Sequence, residues 1–116
     1  MKKRYRLTRQ ADFTRLIRGR RLFAGEALIA FAARRPDGRT RIGVTTSRDI
    51  KGAVARNRAR RRLREAARRV LLSEDSPLRN GGIGYDVVLI ARTPAVELPP
   101  GELQAEARSL RDRLAS

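Results

Sequence analysis

The sequence predicts a single small α/β domain, and three observations carry that expectation. The 116 residues suit one folding unit, spanning residues 1–116, and a hydrophobic content of 41% is enough to bury a core rather than leave a disordered basic chain. Short apolar, β-rich runs recur at 27–32, 41–47 and 85–91. Between and around them lie segments of helical period, so strands and helices alternate along the chain.

Taken in order, Phe13, Leu16 and Ile17 fall at i, i+3 and i+4, which predicts a short helix from about Arg9 to Arg18, capped by Thr8 and ended by Gly19. Ala27 to Ala32 is a brief apolar strand, closed by the turn signal Pro36-Asp37-Gly38. Arg41 to Ser47 is a second strand and pairs with the first as a hairpin in this reading. The segment from Arg56 through Arg68 is one helix. Ser73 to Gly84, with Pro77, Asn80, Gly81 and Gly82, reads as an exposed loop, and Tyr85 to Ala91 as a strand. Pro94, Pro99, Pro100 and Gly101 mark a linker before a final amphipathic helix carrying Leu103, Ala107, Leu110 and Leu114.

The central helix dominates the functional reading. Arg56 to Arg64 reads R-N-R-A-R-R-R-L-R, six arginines in nine residues. At 100° per residue Ala59, Leu63, Ala66, Ala67 and Val70 form one stripe, with Asn57, Arg61, Arg64 and Arg68 opposite it. Arg60 flanks one side, and Arg58, Arg62 and Arg69 the other. Such a helix repels itself unless it meets a dense polyanion, and the guanidinium fork matches phosphate while never losing its charge. The whole chain agrees: 28 Lys and Arg stand against 12 Asp and Glu, a formal net charge of +16 and a pI near 11.8. The expected partner is RNA or DNA.

Residue types argue against intrinsic chemistry and assign any bond breaking to a partner. With no His and no Cys, the chain lacks the usual neutral-pH acid–base group, a thiolate nucleophile and cysteine-ligated zinc. Its acids are scattered among basic residues, and the adjacent pair Glu74-Asp75 sits in the Gly/Pro segment. Glu65 reads as a local partner of Arg61 or Arg69 at helical spacing. No glycine-rich phosphate loop or zinc-ligand spacing is present. No run approaches 18 apolar residues, and Met1-Lys2-Lys3-Arg4 is followed by Tyr5, Arg6 and Arg9 instead of an apolar segment, so a cytoplasmic location is expected.

The stretch S-R-D-I-K-G-A-V-A-R-N-R-A-R-R-R-L-R-E, Ser47 to Glu65, resembles the signature of the protein subunit of bacterial ribonuclease P. The opening K-K-R-Y-R-L-T-R-Q-A-D-F, the R-I-G-V-T-T-S strand, the Y-D-V-V-L-I-A-R strand followed by Pro94 and the closing helix resemble that family in order and spacing. The resemblance implies an α/β sandwich of order α-β-β-β-α-β-α, a central sheet with helices packed on it and a left-handed crossover. It thus implies one strand more than the periodicity found, to be sought around Gly25–Ala33 and Arg39–Ser47. It also implies an auxiliary role: the catalytic RNA removes the 5′ leader of precursor tRNA with magnesium, and the protein, binding no cofactor itself, assists by binding the leader and the catalytic RNA.

By the same resemblance, Arg48, Lys51, Arg56, Asn57, Arg58, Arg60, Arg61, Arg64 and Arg68 are the RNA-binding residues, acting chiefly on phosphate and shape. Some of them could instead hold the helix to its own loop, and Arg56, near the apolar stripe, is the foremost of these. A leader-binding cleft is implied at Phe13, Ile17 and Phe31, where a ring can stack on an unpaired base; both phenylalanines also fit a plain core role. Two residues depart from the family pattern. Ile17 stands where a second aromatic is common, and Asp49 where a basic residue often follows Arg48. Neither a catalytic nor a metal-binding residue is expected, nor contact with DNA or membrane. The competing class is a ribosomal-type structural RNA-binding protein. A major-groove DNA regulator and an autonomous nuclease rank lower.

Overall fold

The run Val87-Val88-Leu89 needs cover on both of its faces, and this requirement sets the architecture. In the computed structural model, which describes residues 1–116, β4 (Gly84–Ala91) lies inside the sheet, antiparallel to β2 (Leu28–Arg35) and parallel to β3 (Arg41–Thr46). A short edge strand, β1 (Arg21–Ala24), pairs antiparallel with β2, and the order is β1-β2-β4-β3.

Two sequence expectations are corrected here. The strands flanking Pro36-Asp37-Gly38 do not form a hairpin: β4 inserts between β2 and β3, because the strand buried on both sides takes the interior position. The extra strand lies at Arg21–Ala24, before the segments where it was sought. Its four residues begin with Arg21 and carry a bulge between Arg21 and Phe23, so they show no clean alternation.

The helices are α1 (Gln10–Ile17), α2 (Ala53–Val70), α3 (Pro77–Asn80) and α4 (Pro100–Ala115), with short 3-10 turns at Lys3–Tyr5 and Thr93–Val96. Apart from the single-turn α3, this is the α-β-β-β-α-β-α order that the resemblance implied. The main core lies between one sheet face and α2 with α4. Leu28, Ala30, Ile42, Val44, Val87 and Leu89 meet Leu63 and Ala66 of α2 and Leu103, Leu110 and Leu114 of α4. The buried residues of α2 are Ala59, Leu63, Ala66, Ala67 and Val70, the stripe read from the sequence. Glu106 ties α4 to the sheet by accepting hydrogen bonds from the Ala27 and Leu28 amides.

On the opposite face Leu7, Leu16, Phe31 and Val88 form a smaller cluster beneath α1. With eight residues, α1 is roughly 12 Å long and covers only part of that face. The helix is capped differently from expectation: Arg9, not Thr8, is the N-cap, and no side chain caps it. The Leu7 amide donates to the Ile42 carbonyl at 2.9 Å while its side chain is buried, so the chain stays extended one residue further before it turns. Nor is the whole of Ser73–Gly84 an exposed loop. Ser76 and Leu78 are buried, the Ser76 hydroxyl donates to the Leu71 carbonyl at 2.6 Å, and the Thr40 hydroxyl donates to the Leu78 carbonyl at 2.9 Å. The Gly/Pro composition concealed this one apolar anchor.

Candidate nucleic-acid interface

Because α2 spends its small apolar stripe in the core, its arginines leave the molecule on the remaining arc, and each meets a different environment. Arg58 donates to the Val96 carbonyl at 2.8 Å. Arg62 donates to the carbonyls of Ala95, at 2.8 Å, and Leu98. These two arginines therefore lash α2 to the turn after β4. Arg56 is half-buried and reaches the Ile50 carbonyl at 3.4 Å, a long contact that favours its structural reading. Arg60 donates to Asn57 at 2.6 Å. Glu65 pairs with Arg68 at 2.6 Å and Arg69 at 2.8 Å, so Arg68 replaces Arg61 in the expected pairing. Hydrogen bonds from Arg68 and then Arg69 hold the Glu65 carboxyl down at about 2.

Arg61 and Arg64 remain, and neither is paired to a carboxylate. Arg61 is exposed, beside the groove between α2 and α4. Arg64 is half-buried; its guanidinium pKa is lowered by burial and by the positive charges of Arg6 and Arg60. Cations crowded without a counter-ion disfavour their own charged forms, and a phosphate would relieve this. Arg48 and Lys51 are exposed on the loop before α2. Asp49, also exposed, receives only the backbone geometry of that loop, its amide donating to the Ser47 hydroxyl at 3.2 Å.

The partly covered sheet face holds the three cleft residues. Phe31 is 8% exposed and lies in the cluster with Leu7, Leu16 and Val88. Phe13 sits directly on Gly43 of β3, where an added Cβ would come within 2.4 Å of the ring, so only glycine lets α1 approach this closely. Both rings therefore pack as floor. Ile17 is 40% exposed at the end of α1, leaving it the most accessible of the three, and the half-buried Ile29 and Ile90 pack on the cluster that holds Phe31. The arrangement is an apolar trough open on one side, suited to an unpaired base laid on a flat surface.

At one end of that trough lies a charge cluster that sequence reading did not find. Asp86 is 4% exposed; Arg41 binds it through two nitrogens at 2.8 and 2.9 Å, Arg35 at 3.1 Å and Arg15 at 3.3 Å. Arg35 also binds Asp37 at 2.7 Å, and Arg15 binds Asp12 at 3.4 Å. Burial alone would raise the Asp86 pKa; hydrogen bonds from Arg41 and Arg35 outweigh it and hold the carboxyl below its ordinary value. The available signal was an aspartate opening an otherwise apolar strand, a position that requires a partner. Arg6 and Arg69 were also passed over as cationic neighbours of the interface.

No three acidic, His or Cys side chains come together in a metal-holding group. Asp86 and Glu65 are each engaged by arginines. The exposed cations of α2 and of the loop before it leave this surface with an uncompensated positive charge.

No helix is long and apolar enough to cross a membrane. A family model described as ribonuclease P matches residues 1–115. The ribonuclease P protein component of Ruegeria pomeroyi is 44% identical over 89 residues, 74% of this chain and 66% of that protein. The corresponding protein of Chloroflexus aurantiacus is 39% identical over 111 residues, 95% of this chain and 77% of its own length. Among solved structures, the Staphylococcus aureus RNase P protein superposes with a TM-score of 0.71 at 23% identity, covering 95% of this chain and 94% of that one. The Thermotoga maritima protein superposes with a TM-score of 0.69 at 22% identity, covering 93% and 96%. With the family model matching nearly its whole length and relatives agreeing in sequence, this chain belongs to the ribonuclease P protein family.

Proposed function

We propose that the chain acts as the RNA-binding subunit of a cytoplasmic ribonucleoprotein ribonuclease P, assisting a catalytic RNA in removing the 5′ leader of precursor tRNA. The observation that carries this reading is the pair Arg61 and Arg64, unpaired on a helix whose apolar stripe is fully used in the core. Those guanidiniums, with Arg48, Lys51 and the outward groups of Arg60 and Arg68, grip phosphates of the catalytic RNA. The trough of Phe13, Ile17 and Phe31 receives the single-stranded leader. Cleavage is assigned to the RNA and its magnesium ions, and the chain, which has no His or Cys, is given no part in the bond-breaking step.

Reconstitution tests the reading. The purified chain is mixed with the catalytic RNA of a bacterial ribonuclease P and a precursor tRNA at limiting magnesium. Leader removal at the mature 5′ end is expected to rise with the chain present, while the chain alone cuts nothing. Unchanged cleavage with a folded chain would overturn the assignment, and stoichiometric sedimentation with ribosomal subunits would then favour a structural RNA-binding role.

A further inference from the structure

Where the N-terminal turn crosses the end of α2, a hollow of about 480 Å³ opens, lined by Lys2, Tyr5, Arg68, Arg69, Leu72 and Arg79 among others. A second, of about 450 Å³, lies beside it, lined by Arg4, Arg39, Thr40 and Leu78 and sharing Tyr5 and Arg79 with the first. Tyr5 is half-buried against the main core, with the Arg4 guanidinium 5.0 Å from its ring centroid. Arg79 is fixed through one nitrogen, which donates to the Leu72 carbonyl at 3.1 Å. Outside the first hollow Glu65 is shared by Arg68 and Arg69, and Glu74 is the one acid on the lining, leaving cations in excess of acids. In the second, Arg4 and Arg39 have no carboxylate on the lining. The nearby Asp37 carboxylate is engaged by Arg35.

Two cation-lined hollows joined at one aromatic ring match a chain that repeats anion and planar ring, as single-stranded nucleic acid does. A duplex would present its bases already paired and could not enter a concave site. We propose that this groove binds a single-stranded ribonucleotide segment, with one phosphate held by Arg68, Arg69 and Arg79, the next by Arg4 and Arg39, and an unpaired base against Tyr5. The groove involves neither the trough of Phe13, Ile17 and Phe31 nor the Arg61 and Arg64 pair, and meets the phosphate-gripping residues of α2 only at Arg68, which the two surfaces share. It rests on the RNA-binding reading above and adds a second contact to it. The strand comes from the catalytic RNA or from the precursor tRNA, which offer the same chemistry.

The test uses the full chain, Tyr5→Leu and Tyr5→Phe, each checked by its melting curve, in two arms: affinity for the catalytic RNA, and affinity of the reconstituted holoenzyme for precursor tRNA. Tyr5→Leu is expected to weaken one arm about five- to tenfold, the low end of base–aromatic stacking for a ring that Arg4 also contacts, while Tyr5→Phe retains affinity. The weakened arm identifies the source of the strand. Photo-crosslinking of the unaltered chain to 4-thiouridine-substituted RNA is expected to label the peptide containing Tyr5, and needs no variant to fold. Equal affinities in both arms for all three chains, with no label on that peptide, would overturn the groove alone. Failure of the unaltered chain to bind the catalytic RNA would overturn the RNA-binding reading itself.

Discussion

Around Asp86 three arginines converge on one buried carboxylate with two further aspartates beside them, whereas along α2 eight arginines share a single acid, Glu65, which pairs with Arg68 and Arg69 alone, and Arg61 and Arg64 have no side-chain partner of any kind. Both regions are arginine-rich, yet the first is close to electroneutral and the second carries a standing positive field. The difference is in the counter-ion rather than in the arginine. A part-buried guanidinium bound by two nitrogens to a buried carboxylate, as Arg41 is to Asp86, has little left for a phosphate; Arg68 makes the same two contacts with Glu65 in open solvent, where an exposed pair is weak and a phosphate competes, and Arg61 has all of its donors. The Asp86 cluster therefore fastens α1 and the ends of β2 and β3 to β4, while the α2 surface waits for RNA.

The largest effect is expected at Asp86. Asp86→Ala leaves Arg41 part-buried without an anion and Arg35 with Asp37 alone, and breaking a buried charged network by removing one partner costs roughly 3–5 kcal/mol. Urea unfolding of the variant should show a loss of that order; a loss below about 1 kcal/mol would mean that the cluster is as dispensable as an exposed pair. The α2 surface should behave oppositely and gain from added anions. Sulfate binding the folded chain alone should raise stability by about 2.7 kcal/mol at a hundred times its dissociation constant, read as a rise in Tm. An unmoved Tm would contradict the field ascribed to α2.

A smaller effect sharpens the trough. Ile17→Phe restores a ring at the accessible end of α1 and should strengthen leader binding about fivefold, the lower bound of stacking on one base. Unchanged affinity would place the leader elsewhere. The smallest expected effect is none: between pH 5.5 and 7 both stability and RNA affinity should stay flat, since arginine keeps its charge and the chain has no His or Cys. The pKa values of Asp86 and Glu65 are lowered by folding, so the stability they contribute is present above their unfolded values near 4 and is lost as pH falls through the lowered folded values. Unfolding curves across pH check both statements, and a midpoint near pH 6 would contradict them.

Much of this was legible in the sequence where one residue pattern has one physical solution. The α2 stripe and the four buried residues of α4 follow from helical period alone. What failed was pairing: nothing local to β2 and β3 shows that β4 will come between them, since that order follows from the later strand's need for cover on both faces. Edge strand β1 was invisible because Arg21 and a bulge break its alternation. At the site, periodicity identified which arginines leave the core. It could not reveal that Arg58 and Arg62 end on the carbonyls of Ala95, Val96 and Leu98, acceptors some 33 to 38 residues away in the chain.

The most direct test of the division between bound and free arginines is the salt dependence of affinity for the catalytic RNA, measured for the unaltered chain, for Arg61→Ala/Arg64→Ala and for Arg41→Ala. Losing the α2 pair should lower the log–log slope by about 1.4 to 1.8, at roughly 0.7 to 0.9 for each phosphate contact, with helix content retained. Arg41→Ala should lower stability and leave the slope unchanged. A slope that falls equally in both variants, or only in Arg41→Ala, would contradict the assignment of RNA binding to the unpaired arginines of α2.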